Sequence, residues 1–159
     1  MTRPSAFLSF LAFALMLSCN SPQEKPAEKN TEIELSDVEE ITPKEKLRKA
    51  YQLFKEGDDE GSIKLANEVL AIGRETNNDT LIGRALTSLC RNSQRKLDTT
   101  RLAELSKELS DLAATSGNQQ WLMYRAHMNA EMWRLIGNMD RAEAFYNESM
   151  RISFETGAM

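Results

Sequence analysis

The sequence predicts an all-α fold, and three observations carry that prediction. All four prolines (Pro4, Pro22, Pro26 and Pro43) fall at or before residue 43, so nothing downstream of it forbids helix. A pattern recurs every 40 residues through the rest of the chain. Within it, Leu102, Leu105, Leu109 and Leu112 keep the 3.6-residue stripe of an amphipathic helix.

The N-terminal region is organised differently. Residues 1–18 read as a signal peptide, with Arg3 as a thin positive start and an apolar run from Ala6 to Leu17 that is too short to span a bilayer. The run ends in Ser18-Cys19, and the composition turns polar at once with Asn20-Ser21-Pro22-Gln23-Glu24. This order of apolar run, small residue, cysteine and polar segment resembles the lipobox of bacterial lipoproteins, although Met16 stands where that signal prefers leucine. The resemblance implies cleavage before Cys19, lipidation of Cys19 through acyl chains of the palmitate class, and a place in the cell envelope. The outer membrane or the periplasmic face is the expected location. Residues 19–41 hold seven acids against Lys25 and Lys29, a net charge of −5 (2 − 7), and have little to bury; they are expected to form an acidic flexible linker. With Cys19 lipidated, Cys90 has no partner for a disulfide and reads as a small core residue among Ala85, Leu86 and Leu89.

Folding is expected to start at residue 42. Thr42-Pro43-Lys44-Glu45 has the form of a capping box, with Thr42 at the N-cap, proline at the first helical position and Glu45 reaching back. The repeat then sets the remaining elements. Gly57-Asp58-Asp59-Glu60 returns as Leu97-Asp98-Thr99-Thr100 and as Gly137-Asn138-Met139-Asp140; Ala50, Cys90 and Ala130 coincide, as do Ile72, Leu112 and Ile152. Three repeats follow, at about 42–79, 80–119 and 120–159. The first helix of each is placed near 43–56, 80–96 and 119–136, and the second near 58–76, 98–116 and 138–156.

Gly137-Asn138-Met139-Asp140-Arg141-Ala142, followed by Tyr146, resembles the tetratricopeptide turn Gly-Asp-x-Glu-x-Ala with its later aromatic, and Ala130 and Trp133 take the places of that family's small residue and tyrosine. Ala50, Leu53, Gly57 and Ser62 occupy the same places in the first repeat. The second repeat departs, with Leu97 in place of the glycine and Leu102 in place of the alanine, and the period of 40 exceeds the usual ~34. The resemblance implies a right-handed α-solenoid of three helix-turn-helix hairpins whose first helices line a concave groove. Carried over position by position, the groove presents Lys44, Tyr51 and Lys55, then Arg84, Arg91 and Arg95, then Tyr124, His127, Glu131 and Arg134. Tyr51 stands where the carboxylate clamp of chaperone-binding members has asparagine.

Charge separates along the repeats. The windows 42–56, 82–96 and 122–136 hold eleven Lys/Arg against Glu45, Glu56 and Glu131; the remaining repeat residues hold six Lys/Arg against fourteen acids, +8 (11 − 3) against −8 (6 − 14). Arginines in a partly enclosed groove suit carboxylates and phosphates. The only histidine, His127, lacks the accompanying set of ligands that a metal site or a triad requires, and no glycine-rich phosphate loop is present, so no enzyme activity, metal or cofactor is expected. The expected function is that of a membrane-tethered scaffold binding a protein or peptide segment, acidic by complementarity, with nucleic acid excluded by export. The alternative is the sensory repeat region of a signalling regulator, separated from or acting with another output domain. Phe145, Tyr146, Met150, Ile152 and Phe154 on the last helix further suggest self-association through an uncapped third repeat.

Overall fold

The computed structural model describes residues 41–157, and the signal, Cys19 and the linker to residue 40 lie outside them. Helix α1 (Pro43–Glu56) begins in a complete capping box: the Glu45 backbone N–H donates to Thr42 Oγ1 at 3.3 Å, and Thr42 N–H donates to Glu45 Oε2 at 2.9 Å. It is followed by α2 (Asp59–Glu75), α3 (Asp79–Arg95), α4 (Thr99–Ser116), α5 (Gln119–Ile136) and α6 (Met139–Thr156). Each start is capped by a short polar side chain that satisfies an orphan backbone donor: Asp58, Asn78, Asp98, Asn118 and Asn138. The helix limits lie within one residue of those read from the repeat.

The repeat survives in the backbone. Left-handed residues close the turns in two series with the same 40-residue step: Gly57, Leu97 and Gly137 between the paired helices, and Asn77, Gly117 and Gly157 after the second. Asparagine tolerates this conformation; leucine does so only against its Cβ. Leu97 holds φ +57° with 67% of its surface exposed, so packing does little to offset the strain. Leu97→Gly is therefore expected to stabilise the fold by about 1 kcal/mol, since glycine takes the left-handed region without the Cβ clash. A urea midpoint that stays put or falls would count against this.

Each helix packs on the next in sequence, and the odd-numbered helices also touch in series, α1 on α3 and α3 on α5. The even-numbered helices make no comparable contact among the described residues; α2 and α4 are joined by the Arg74–Glu108 ion pair at 2.6 Å. Two sets of equivalent repeat positions carry equivalent burial. Ala50, Cys90 and Ala130 are fully enclosed, and so in effect are Ser62, Leu102 and Ala142, so the two departures in the second repeat keep their structural places. The main core runs from Ala66, Val69 and Leu70 through Leu86, Leu105 and Leu109 to Trp121 and Met128. Residues Glu39–Met159 form one compact unit.

α6 packs against α5 alone among the described helices. Met139, Met150 and Phe154 remain more than half exposed. At about 100° per residue they fall within roughly 60° of one another on the helix.

Candidate binding groove

The contact series α1–α3–α5 brings side chains from all three helices around one open concavity of about 490 Å³. Its apolar floor is Leu47, Tyr51, Trp121 and Tyr124; Thr42, Thr87 and Ser88 also line it, as do Lys44, Arg48, Arg84 and Arg91 with the single acid Glu45. Lys44, Arg84 and Tyr124 occupy the same repeat position on α1, α3 and α5, and all three line the groove.

The floor is built by aromatic contact. Trp121 is buried and stacks on Tyr124 with ring centroids 6.2 Å apart, while half-exposed Tyr51 stacks on Phe54 at 6.5 Å. Arg91 lies over the Tyr51 ring at 5.8 Å, and Lys55 approaches the same ring at 5.9 Å. The indole N–H of Trp121 is buried without an acceptor.

Of the ten residues expected to line the groove, Lys44, Tyr51, Arg84, Arg91 and Tyr124 converge here, whereas Glu131 is buried and does not line it. Lys55 stands beside them over Tyr51. His127 sits in an adjoining depression of about 300 Å³ that shares Arg91 and Tyr124, with its ring edge-on to Tyr146 at 5.8 Å. Arg95 and Arg134 are occupied internally. The Arg95 guanidinium lies 3.7 Å over the Phe54 ring, donates to the Phe54 carbonyl at 2.6 Å and pairs with Asp59. Arg134 donates twice to Glu131 Oε2, at 2.8 and 3.1 Å.

These pairings explain the charge separation seen in the sequence. First-helix cations meet second-helix acids across the helix interfaces: Lys46 with Glu68 at 2.8 Å, Arg95 with Asp59, and Arg125 with Glu148. Three of the eleven first-helix cations are thus one side of an interhelical pair rather than part of a bare basic face. What remains matters more. Lys44, Arg84 and Arg91 have no carboxylate partner among the described residues, and all three border the same groove. Arg48 is held only loosely, 4.0 Å from Glu45.

Glu131 is the one buried carboxylate among the described residues, and its donors come from three helices: Gln94 on α3, Arg134 on α5 itself and the Tyr146 hydroxyl on α6. Burial pushes its pKa up, but the Arg134 and Tyr146 hydrogen bonds outweigh burial and hold the carboxyl below the ordinary range. Cys90 shows burial unopposed: enclosure pushes its thiol up to about 12, so the sulfur is an inert part of the core rather than a nucleophile.

Sequence reasoning missed Arg48, Trp121, Thr87 and Ser88 as groove residues. Thr87 was legible as the 40-residue equivalent of His127; Arg48 and Ser88 share a repeat position that carried no groove expectation, and Trp121 reads as pure core because most of its ring is. Among the described residues no group of three His, Cys, Asp or Glu is placed to hold a metal ion, and no helix is long and apolar enough to cross a membrane. In comparison with known proteins, no family model, no curated protein and no solved structure matches the chain.

Proposed function

We propose that the chain is a membrane-tethered interaction module that holds an acidic protein segment in the groove between α1, α3 and α5. Its six helices form three tetratricopeptide-like hairpins in a right-handed α-solenoid. Support for that arrangement comes from the two series of left-handed turns at 40-residue steps and from the serial contact of the odd-numbered helices. One observation carries the binding role: Lys44, Arg84 and Arg91 converge on a single concavity with no carboxylate partner among the described residues, while Lys46, Arg95 and Arg125 on the same helices are paired across helix interfaces. The tether is Cys19, lipidated after cleavage of residues 1–18, which places the groove in the cell envelope.

The test is binding of a short fluorescent glutamate-rich peptide to the full chain, followed by anisotropy. Arg84→Glu with Arg91→Glu is expected to weaken binding at least about 100-fold, because each reversal removes a favourable charge and adds a repulsive one. Unchanged affinity in the double variant would remove the groove from consideration. In parallel, Cys19→Ser should release the chain from the membrane fraction or leave its signal uncleaved; a native chain found soluble with an unmodified Cys19 would end the tether reading.

The exposed stripe of Met139, Met150 and Phe154 supports self-association of the same module through α6. Sedimentation of residues 39–159 should show concentration-dependent dimers or larger species, dispersed by Met150→Glu with Phe154→Glu. A native fragment that stays monomeric over a wide concentration range excludes it.

A further inference from the structure

Resting on the proposed groove, we infer that its ligand is not acidic alone: it is an extended segment in which one bulky apolar or aromatic side chain is flanked by carboxylates. The groove has two chemistries in fixed relation. Lys44, Arg84 and Arg91 line it with no carboxylate partner among the described residues, and Leu47, Tyr51 and Tyr124 form its apolar floor. A purely acidic segment could satisfy the cations but would leave the floor wet. A purely apolar one would cover the floor and bury the cations without counter-charge, which is costly.

Arg91 couples the two. Its guanidinium carbon lies 5.8 Å from the Tyr51 ring centroid and no carboxylate among the described residues pairs with it, so a ligand carboxylate that pairs with Arg91 comes close to an aromatic ring. Tyr51 and Tyr124 line the same groove, so an apolar side chain next to that carboxylate has an aromatic surface within the groove to cover. Tyr51 is 50% exposed and is one of the few large rings left to solvent. The volume of about 490 Å³ falls in the range of sites that enclose a few side chains, about 300–1,000 Å³, and is small for a helix about 10–12 Å across. That favours an extended segment over a docked amphipathic helix.

The two contributions respond differently to conditions. Exposed ion pairs are screened by salt, whereas burial of an apolar side chain is not weakened by it. The inference therefore predicts an affinity with a salt-labile part set by the carboxylates and a salt-resistant part set by the anchor.

The experiment uses the full chain and three synthetic peptides: Gly-Glu-Glu-Phe-Glu-Glu-Gly, the same with alanine for phenylalanine, and the same with lysine for every glutamate. Binding is followed by tryptophan fluorescence, with Trp121 at the floor as reporter, and by calorimetry. The phenylalanine peptide is expected to bind about 10- to 100-fold tighter than its alanine counterpart, with the ratio persisting as salt rises, and the lysine peptide is expected not to bind. Arg91→Ala should weaken both acidic peptides; Tyr124→Ala should weaken only the phenylalanine peptide. Tyr51→Ala, at a half-exposed ring, repeats the second test should Tyr124→Ala fail to fold, with circular dichroism deciding. Equal affinities of the phenylalanine and alanine peptides would overturn the anchor while leaving the acidic groove intact. Failure of both acidic peptides to bind would overturn the groove itself, and so would binding that neither Arg91→Ala nor the tyrosine variants disturb.

Discussion

Trp121→Ala is expected to destabilise the fold by about 3–5 kcal/mol, the usual range for emptying a buried aromatic site. The ring is 2% exposed and belongs to the main core, where it joins α5 to α3. It is seated on Gly83: a Cβ at that position would fall 2.5–2.7 Å from Cε2, Cζ2 and Cδ2 of the indole, closer than any unstrained contact allows. Gly83 thus serves as a notch in α3. Gly83→Ala alone should cost about 1–3 kcal/mol by overpacking, although alanine is intrinsically the better helix former by roughly 0.5–1 kcal/mol. The two substitutions should not add. With Trp121→Ala in place the clash is gone, the propensity gain survives, and Gly83→Ala should turn neutral or mildly stabilising. Urea denaturation of residues 39–159 in all four combinations measures the coupling. Additive effects would show that the ring does not depend on the notch.

That pair also shows where sequence reasoning stops. Gly57, Gly117 and Gly137 declare themselves locally, because each stands just before a capping residue and recurs in register. Gly83 sits inside a helix, where a glycine alone says only that something comes close; what comes close is 38 residues later in sequence. The capping box at Thr42 and Glu45 was legible for the opposite reason, since all its atoms lie within one turn. The groove was legible where the repeat register decides it, at Lys44, Arg84 and Tyr124. It was not legible for Arg95, whose carboxylate partner Asp59 lies 36 positions away on another helix. Arg134 is a different matter. Glu131 is three residues earlier on the same helix face, and that spacing alone signals a pair. Position on a groove-facing helix tells which side chains can reach a ligand, but only the packing tells which are already taken.

Glu131 should set a second, pH-dependent part of the stability. Its carboxylate accepts from Gln94, Arg134 and Tyr146 and so ties α3, α5 and α6 together at one buried point. Glu131→Gln keeps the shape but removes the charge and one acceptor, which should cost about 1–3 kcal/mol at neutral pH by leaving buried donors poorly matched. The sign of the pH dependence follows from the shifts. Burial raises the Glu131 pKa, but Arg134 and Tyr146 together bring it below the ordinary carboxylate range. A lowered folded-state value gives stability that is full above the unfolded pKa, near 4.3, and is lost as pH falls through the folded value. Tyr146 acts at the other end. Burial, and then its hydrogen bond to Glu131, raise its hydroxyl, so its share is full below about pH 10 and is lost as pH rises through the folded value. The native protein and Glu131→Gln should therefore differ most between about pH 5 and 9, and the gap should narrow on acidification as the native carboxylate takes up its proton. Urea midpoints of residues 39–159 measured from pH 7 down to the acid limit of folding give the comparison. A gap that stays constant over that interval would mean that the charge of Glu131 contributes nothing and that only its shape is needed.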